Sequence, residues 1–106
     1  MNAQFKKGVL DLILLHLIRQ KPVSAYDLLT EISKRLEVNE NTIYPLLRRL
    51  DKEGYLSHEK QQGDMGAPKK VFILTEQGQS HYTKLYRDWQ AFQVEVSSIL
   101  GGQSND

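Results

Sequence analysis

Cysteine is missing from this chain of 106 residues. A disulfide framework and a thiolate zinc site are therefore excluded, and the absence suits a reducing, cytoplasmic setting. A surplus of charge is missing too: 14 Lys and Arg face 13 Asp and Glu, a formal net charge of +1. Bulk charge thus gives no argument for a nucleic-acid partner, and any such argument must rest on where the basic residues sit. There is no apolar run long enough to cross a bilayer. The best stretch, Val9 to Ile18, is short and is interrupted by Asp11 and His16. Lys6 and Lys7 precede it as in a signal peptide, but Arg19, Gln20 and Lys21 follow where small cleavage-site residues belong. A buried core helix is the expectation, with no membrane partner. Repeats and low-complexity segments are lacking. So are the marks of an enzyme: His16, His58 and His81 fall on three different expected elements, none paired at metal-ligand spacing. No nucleophile elbow or phosphate loop occurs. No catalytic residue, metal or cofactor is expected.

What is present is helical periodicity with clear punctuation. A first helix is predicted from Gln4 to Gln20, apolar around most of its circumference and hence central, with Pro22 beyond its end. Ser24 is a good N-cap for a second helix reaching Arg35, and Asp27 stands where a capping box would reach back. Asn39 caps a third helix, Glu40 to Glu53, with Ile43, Leu46, Leu47 and Leu50 at helical spacing and Gly54 as its stop. Pro45 inside it is tolerable near the first turn, where few amides have intrahelical partners. Strands are predicted at Tyr55–Gln61 and Lys69–Leu74, around a tip running from Gly63 to Pro68. Thr75 caps a last helix ending near Leu100, whose Tyr82, Leu85, Trp89, Phe92, Val96 and Ile99 alternate spacings of three and four in a heptad seam. The expected fold is mostly α with a small β-hairpin. A winged helix-turn-helix domain (1–74) precedes a long C-terminal dimerisation helix (75–100) and a frayed tail (101–106).

Three stretches resemble the PadR family of winged-helix regulators. Asn41-Thr42-Ile43-Tyr44-Pro45-Leu46-Leu47-Arg48-Arg49-Leu50-Asp51-Lys52-Glu53-Gly54-Tyr55-Leu56 is similar to its recognition helix. Gly66-Ala67-Pro68-Lys69-Lys70 and the following Val71 to Gly78 are similar to its wing and the entry to its final helix. Ser24-Ala25-Tyr26-Asp27-Leu28 resembles its second helix. The short length resembles the compact branch that includes multidrug-responsive repressors. Departures are Ser24 for a common histidine, Ala25 for a glycine, Met65 for a tip glycine, Lys69 and Lys70 for arginines, and Val71 for an aromatic.

The resemblance implies a homodimeric transcriptional regulator on double-stranded, palindromic operator DNA, with repression as the usual mode. A recognition helix presents its N-terminal residues, here Asn39, Asn41, Thr42 and Tyr44, to base edges in the major groove. Asn can pair with adenine, and Thr can touch a thymine methyl. Asn41, Thr42, Tyr44 and Arg48 are therefore the DNA-binding candidates, with Tyr26 from the second helix, and Lys69 and Lys70 from the wing to neutralise phosphates. Each has a plain structural rival: Asn39 as a cap only, Thr42 on an ordinary surface, Tyr44 packed on the core. Arg48, Arg49 and Lys52 could form a solvated face with Asp51 and Glu53, and Lys69 and Lys70 could guard a strand edge. Tyr82, Leu85, Trp89, Phe92, Val96 and Ile99 are the interface candidates. By resemblance Trp89, flanked by Phe92 and by Asp88 or Tyr86, would stack on a small aromatic effector; the rival is a plain packing tryptophan. A winged helix serving only protein interaction is the competing function.

Overall fold

The computed structural model describes residues 3–101 of the chain. The elements run α1 (Ala3–Gln20), α2 (Ala25–Ser33), α3 (Glu40–Lys52), β1 (Leu56–Gln62), β2 (Pro68–Leu74) and α4 (Glu76–Leu100). A short 3-10 turn at Asp64–Gly66 joins the strands. The order matches the expectation for a winged helix with one long appended helix. Of the frayed tail expected at 101–106, all but Gly101 lies outside the described residues.

Helix α1 is central because its apolar residues look in more than one direction. Leu10, Leu14, Leu15 and Ile18 are all buried, and they join Leu28 and Ile32 of α2, Ile43, Leu47 and Leu50 of α3, Leu56, Phe72 and Tyr82 in one core. Caps set where the helices start. Ser24 Oγ accepts the Asp27 amide at 3.2 Å, and Asn39 Oδ1 accepts the Asn41 amide at 2.9 Å. Helix α2 stops at Ser33, short of the expected Arg35; the chain tightens there into i−3 bonding, with Arg35 N donating to Ile32 O at 3.0 Å. Helix α3 ends in a Schellman turn: Tyr55 N donates to Leu50 O and Gly54 N to Asp51 O, with Gly54 at φ 88°.

The hairpin is antiparallel, in register from Leu56 opposite Leu74 to Gln62 opposite Pro68. Val23 adds an isolated bridge to Phe72, with amide bonds of 3.2 and 2.8 Å in the two directions. That bridge ties the α1–α2 connection to the base of the wing. Each strand is buried only at its base, and the distal half of the hairpin is exposed.

Helix α4 is held at its start by Thr75. Its Oγ1 accepts the Gly78 amide at 2.9 Å and donates to Gly54 O at 2.7 Å, so one side chain joins the end of α3 to the beginning of α4. Gly78 permits the close approach. A methyl group there would collide with the Tyr55 carbonyl oxygen and lie 2.7 Å from Leu74 Cδ1. Tyr82 was expected in an intermolecular seam, but it is a core residue of its own chain. It is 5% exposed and accepts or donates a 2.8 Å hydrogen bond with His16 Nδ1 on α1. The reason is geometric: the first turns of α4 lie against α1, where a heptad position finds an intramolecular partner before the helix runs past the domain.

Candidate nucleic-acid interface

The end of α3 that a groove would meet is exposed. Asn41 is exposed, and Thr42 and Tyr44 are half-buried, Tyr44 packing at the edge of the core. Asn39 is occupied as a cap by the Asn41 amide. Pro45 carries no amide hydrogen, so the Asn41 carbonyl lacks its usual intrahelical donor at this end. Tyr26, in the first turn of α2, is 70% exposed, high for so large a ring. Arg48 is exposed and makes no ion pair among the described residues.

Its neighbour Arg49 does something different, and here the solvated-face expectation is corrected. Arg49 turns inward to α1, where one guanidinium nitrogen donates to both carboxylate oxygens of Asp11 at 2.6 Å; the side chains are 27% and 10% exposed. A second nitrogen donates to Glu53 at 2.8 Å. Burial works to lower the Arg49 pKa, but the Asp11 carboxylate and then Glu53 outweigh it, and the pKa is raised. The cation is thereby committed to the fold. The physical cause is helix geometry: successive residues on α3 point about 100° apart, so Arg48 and Arg49 cannot share a face.

The wing lysines also divide. Lys69 Nζ lies 3.0 Å from Asp27 Oδ2, linking the wing to the first turn of α2. This hydrogen bond lowers the Asp27 pKa from its ordinary 3.8, against an opposing desolvation. The Asp27 carboxylate, expected to serve a capping box, thus reaches the wing. Lys70 makes no ion pair among the described residues; its amine stands 5.1 Å from the centre of the Phe72 ring. At the tip, Met65 takes φ 63° and is fully exposed.

With this geometry in hand, the comparisons are decisive. The sequence profile described as the transcriptional regulator PadR-like family matches residues 14–84. The chain belongs to that family. Transcriptional regulator Rv3488 of Mycobacterium tuberculosis is 30% identical over 103 residues, spanning 96% of this chain and 92% of that protein. A PadR-like transcriptional regulator from Bacillus cereus has a solved structure with TM-score 0.85 and 30% identity, covering 95% of this chain and all of that one (100%). A PadR-like transcription factor from Bacteroides fragilis gives TM-score 0.77 and 34% identity, covering 92% and 95%. Membership in the PadR-like family implies DNA-binding regulation of transcription, and no helix among the described residues is long and apolar enough to cross a membrane.

In this PadR-like chain the interface candidates on α4 fall into two sets. Tyr82 is buried and Leu85 half-buried against the chain's own core. Farther along, the candidates Phe92 and Ile99 are 44% and 84% exposed and Val96 is half-buried, while Val94 and Leu100, outside the expected seam, are 69% and 76% exposed. Trp89 lies between the sets, on the walls of two clefts. One, of about 480 Å³, runs between α1 and α4 past Val9, Leu12, Leu85 and Phe92. The other, of about 560 Å³, is bounded by α1, α2 and α4 with His16, Tyr82 and Tyr86. The remaining histidines also have partners. His58 Nδ1 is 2.8 Å from Asp51 Oδ2, and His81 stacks on Tyr55 with ring centres 4.1 Å apart. Sequence reasoning missed Asp11 and Asp27 as partners of Arg49 and Lys69. The signal for Asp11 was available: a carboxylate within an apolar helix needs a buried partner.

Proposed function

We propose that this PadR-like regulator represses transcription as a homodimer on a palindromic operator, and that a flat aromatic compound bound beside Trp89 releases it. The observation that carries the DNA reading is the exposed end of α3. Asn41, Thr42 and Tyr44 offer base-edge and phosphate chemistry there, while Arg48 stays uncommitted and Arg49 is used up internally. Dimerisation is supported by the distal half of α4. Exposed Phe92 and Ile99, with half-buried Val96 between them at helical spacing on a helix of 25 residues, form an apolar surface of the kind that marks an interface. Two copies joined there would present two α3 helices to half-sites about 34–36 Å apart. The effector reading is supported by Trp89 standing in two clefts with aromatic and aliphatic walls.

The test uses duplex DNA from upstream of the protein's own gene. Anisotropy should report tight binding that weakens steeply from 50 to 200 mM salt, as about 6–10 neutralised phosphates require. Light scattering should give a dimer mass. A panel of planar drugs should contain compounds that quench Trp89 emission and lower operator affinity together. Salt-insensitive or absent DNA binding would favour the protein-interaction reading. A monomer at micromolar concentration would end the dimer reading, and unchanged emission across the panel would end the effector reading.

A further inference from the structure

The register of the hairpin places Lys60 directly opposite Lys70. Like charges facing each other across an antiparallel ladder are destabilising, with Cβ atoms only about 4.5–5.5 Å apart. Both residues are exposed, and neither makes an ion pair among the described residues. The acidic side chain nearest in sequence, Glu59, is paired across the ladder with Val71, so it points to the other face, where it accepts a 3.2 Å hydrogen bond from Gln61. Lys69 also points to that other face and is held by Asp27. The wing therefore has one face whose cation is neutralised from within, and one face with two cations that no carboxylate pairs with among the described residues, the nearby Asp51 carboxylate being taken by His58.

We infer that Lys60 and Lys70 form a two-lysine clamp for a single backbone phosphate of duplex DNA in each wing. Lysine suits the role because phosphate can be met by a point charge from any direction. The two stems start close enough for both amines to reach one anion. The position fits as well: the pair lies on the same strand face as His58, which is tied to Asp51 of α3. The clamp requires a duplex seated on the exposed end of α3 to extend to this face of the wing. The inference rests on the DNA-binding reading above and adds to it a residue, Lys60, and a division of labour between Lys69 and Lys70.

The experiment measures operator affinity against salt for wild type and for Lys60→Gln, Lys70→Gln, Lys69→Gln and the Lys60→Gln/Lys70→Gln pair. Loss of one phosphate per wing lowers the slope of log K on log salt by about 0.9 per wing, or about 1.8 per dimer. The double variant should show that loss. Each single variant at the clamp should show at most half of it, because the remaining lysine still holds the shared phosphate. Lys69→Gln should change the slope less than either. The free protein should melt slightly higher in the clamp variants, because the facing charges are gone. That reading is independent of DNA and would not follow if the lysines were merely solvated. An unchanged slope in the double variant overturns the clamp while leaving the DNA-binding reading standing. A loss near 3.6 overturns the shared phosphate. A wild type that binds no DNA overturns both.

Discussion

Removing the carboxylate of Asp11 is the sharpest perturbation the structure offers. Asp11 is 7% exposed and holds the Arg49 guanidinium through two 2.6 Å contacts, joining α1 to α3. Truncating one member of a fully buried pair costs about 3–5 kcal/mol, because the other charge is left desolvated and alone. Here Arg49 keeps 27% of its side-chain surface and retains Glu53, so the cost should be smaller. About 2–4 kcal/mol is expected for Asp11→Leu, which for a chain of this size is a fall in melting temperature of about 10–20 °C. Replacing both partners should cost far less, since apolar residues of similar volume often substitute for a buried pair. The Arg49 Nε, buried without a hydrogen-bond partner, would be removed at the same time. Asp11→Leu/Arg49→Met should therefore recover to within about 1 kcal/mol of wild type.

The assay is calorimetry or thermal circular dichroism at one fixed protein concentration, because the melting temperature of the proposed dimer would depend on concentration. A double-mutant cycle then isolates the pair. A loss under about 0.5 kcal/mol in Asp11→Leu, or a double variant whose loss equals the sum of the singles, refutes the reasoning. A second readout separates the neighbouring arginines. The double variant should keep operator affinity near wild type, whereas Arg48→Gln should lower it without a change in stability.

Gly78→Ala should destabilise by about 2–3 kcal/mol despite alanine's better helix propensity, because the methyl collides with the Tyr55 carbonyl; denaturant midpoints measure it. At Met65, with φ 63°, stability should rank Gly, then Met, then Val, over a spread of about 1–2 kcal/mol, since the left-handed region penalises a β-branched residue most. Tyr82→Phe should lose about 1 kcal/mol with the His16 hydrogen bond, read from the same midpoints. The Asp27–Lys69 link depends on pH with a definite sign. A carboxyl whose pKa falls on folding stabilises at pH above its ordinary 3.8 and stops doing so as pH drops through the lower folded value. Wild type should thus lose stability relative to Asp27→Asn only below about pH 4, as melting curves between pH 2 and 6 would show.

The elements were legible because their causes are local. Ser24, Asn39 and Thr75 cap the helices that follow them, and Gly54 takes the positive φ that ends α3. The strand limits differ from expectation by one residue at Tyr55, Gln62 and Pro68, since a short two-stranded hairpin leaves nothing beyond its turn to define the ends. What was illegible is every link between distant elements. Asp11 and Arg49 are 38 residues apart, Asp27 and Lys69 42, His16 and Tyr82 66. Periodicity reports which face of a helix is apolar, but not which element meets it. The seam of α4 illustrates this. Its spacing is continuous from Tyr82 to Ile99, yet Tyr82 closes the chain's own core while Ile99 stands 84% exposed. A heptad pattern does not record where one partner ends and another begins.

The weak net charge has a similar resolution. A total of +1 argues against nucleic acid only if charges are counted as equivalent. They are not. Asp11, Glu53, Asp27, Glu31 and Asp88 each sit within ion-pair distance of a lysine or arginine of the same chain, as Asp51 does of His58. A carboxylate already paired screens little beyond its own partner, because the field of a close pair falls off faster than that of a single charge. Arg48, Lys60 and Lys70, by contrast, have no ion pair among the described residues and lie on α3 and the wing. Lys52 and, with opposite sign, Glu40 on α3 are likewise outside any ion pair among the described residues, so under the proposed reading the field a duplex would meet is set by these nearby charges and not by the sum over the chain. Adding an unpaired glutamate on the far side of α4 should then leave operator affinity almost unchanged at 150 mM salt, where the screening length is about 8 Å. The same charge placed beside Lys60 should weaken it sharply.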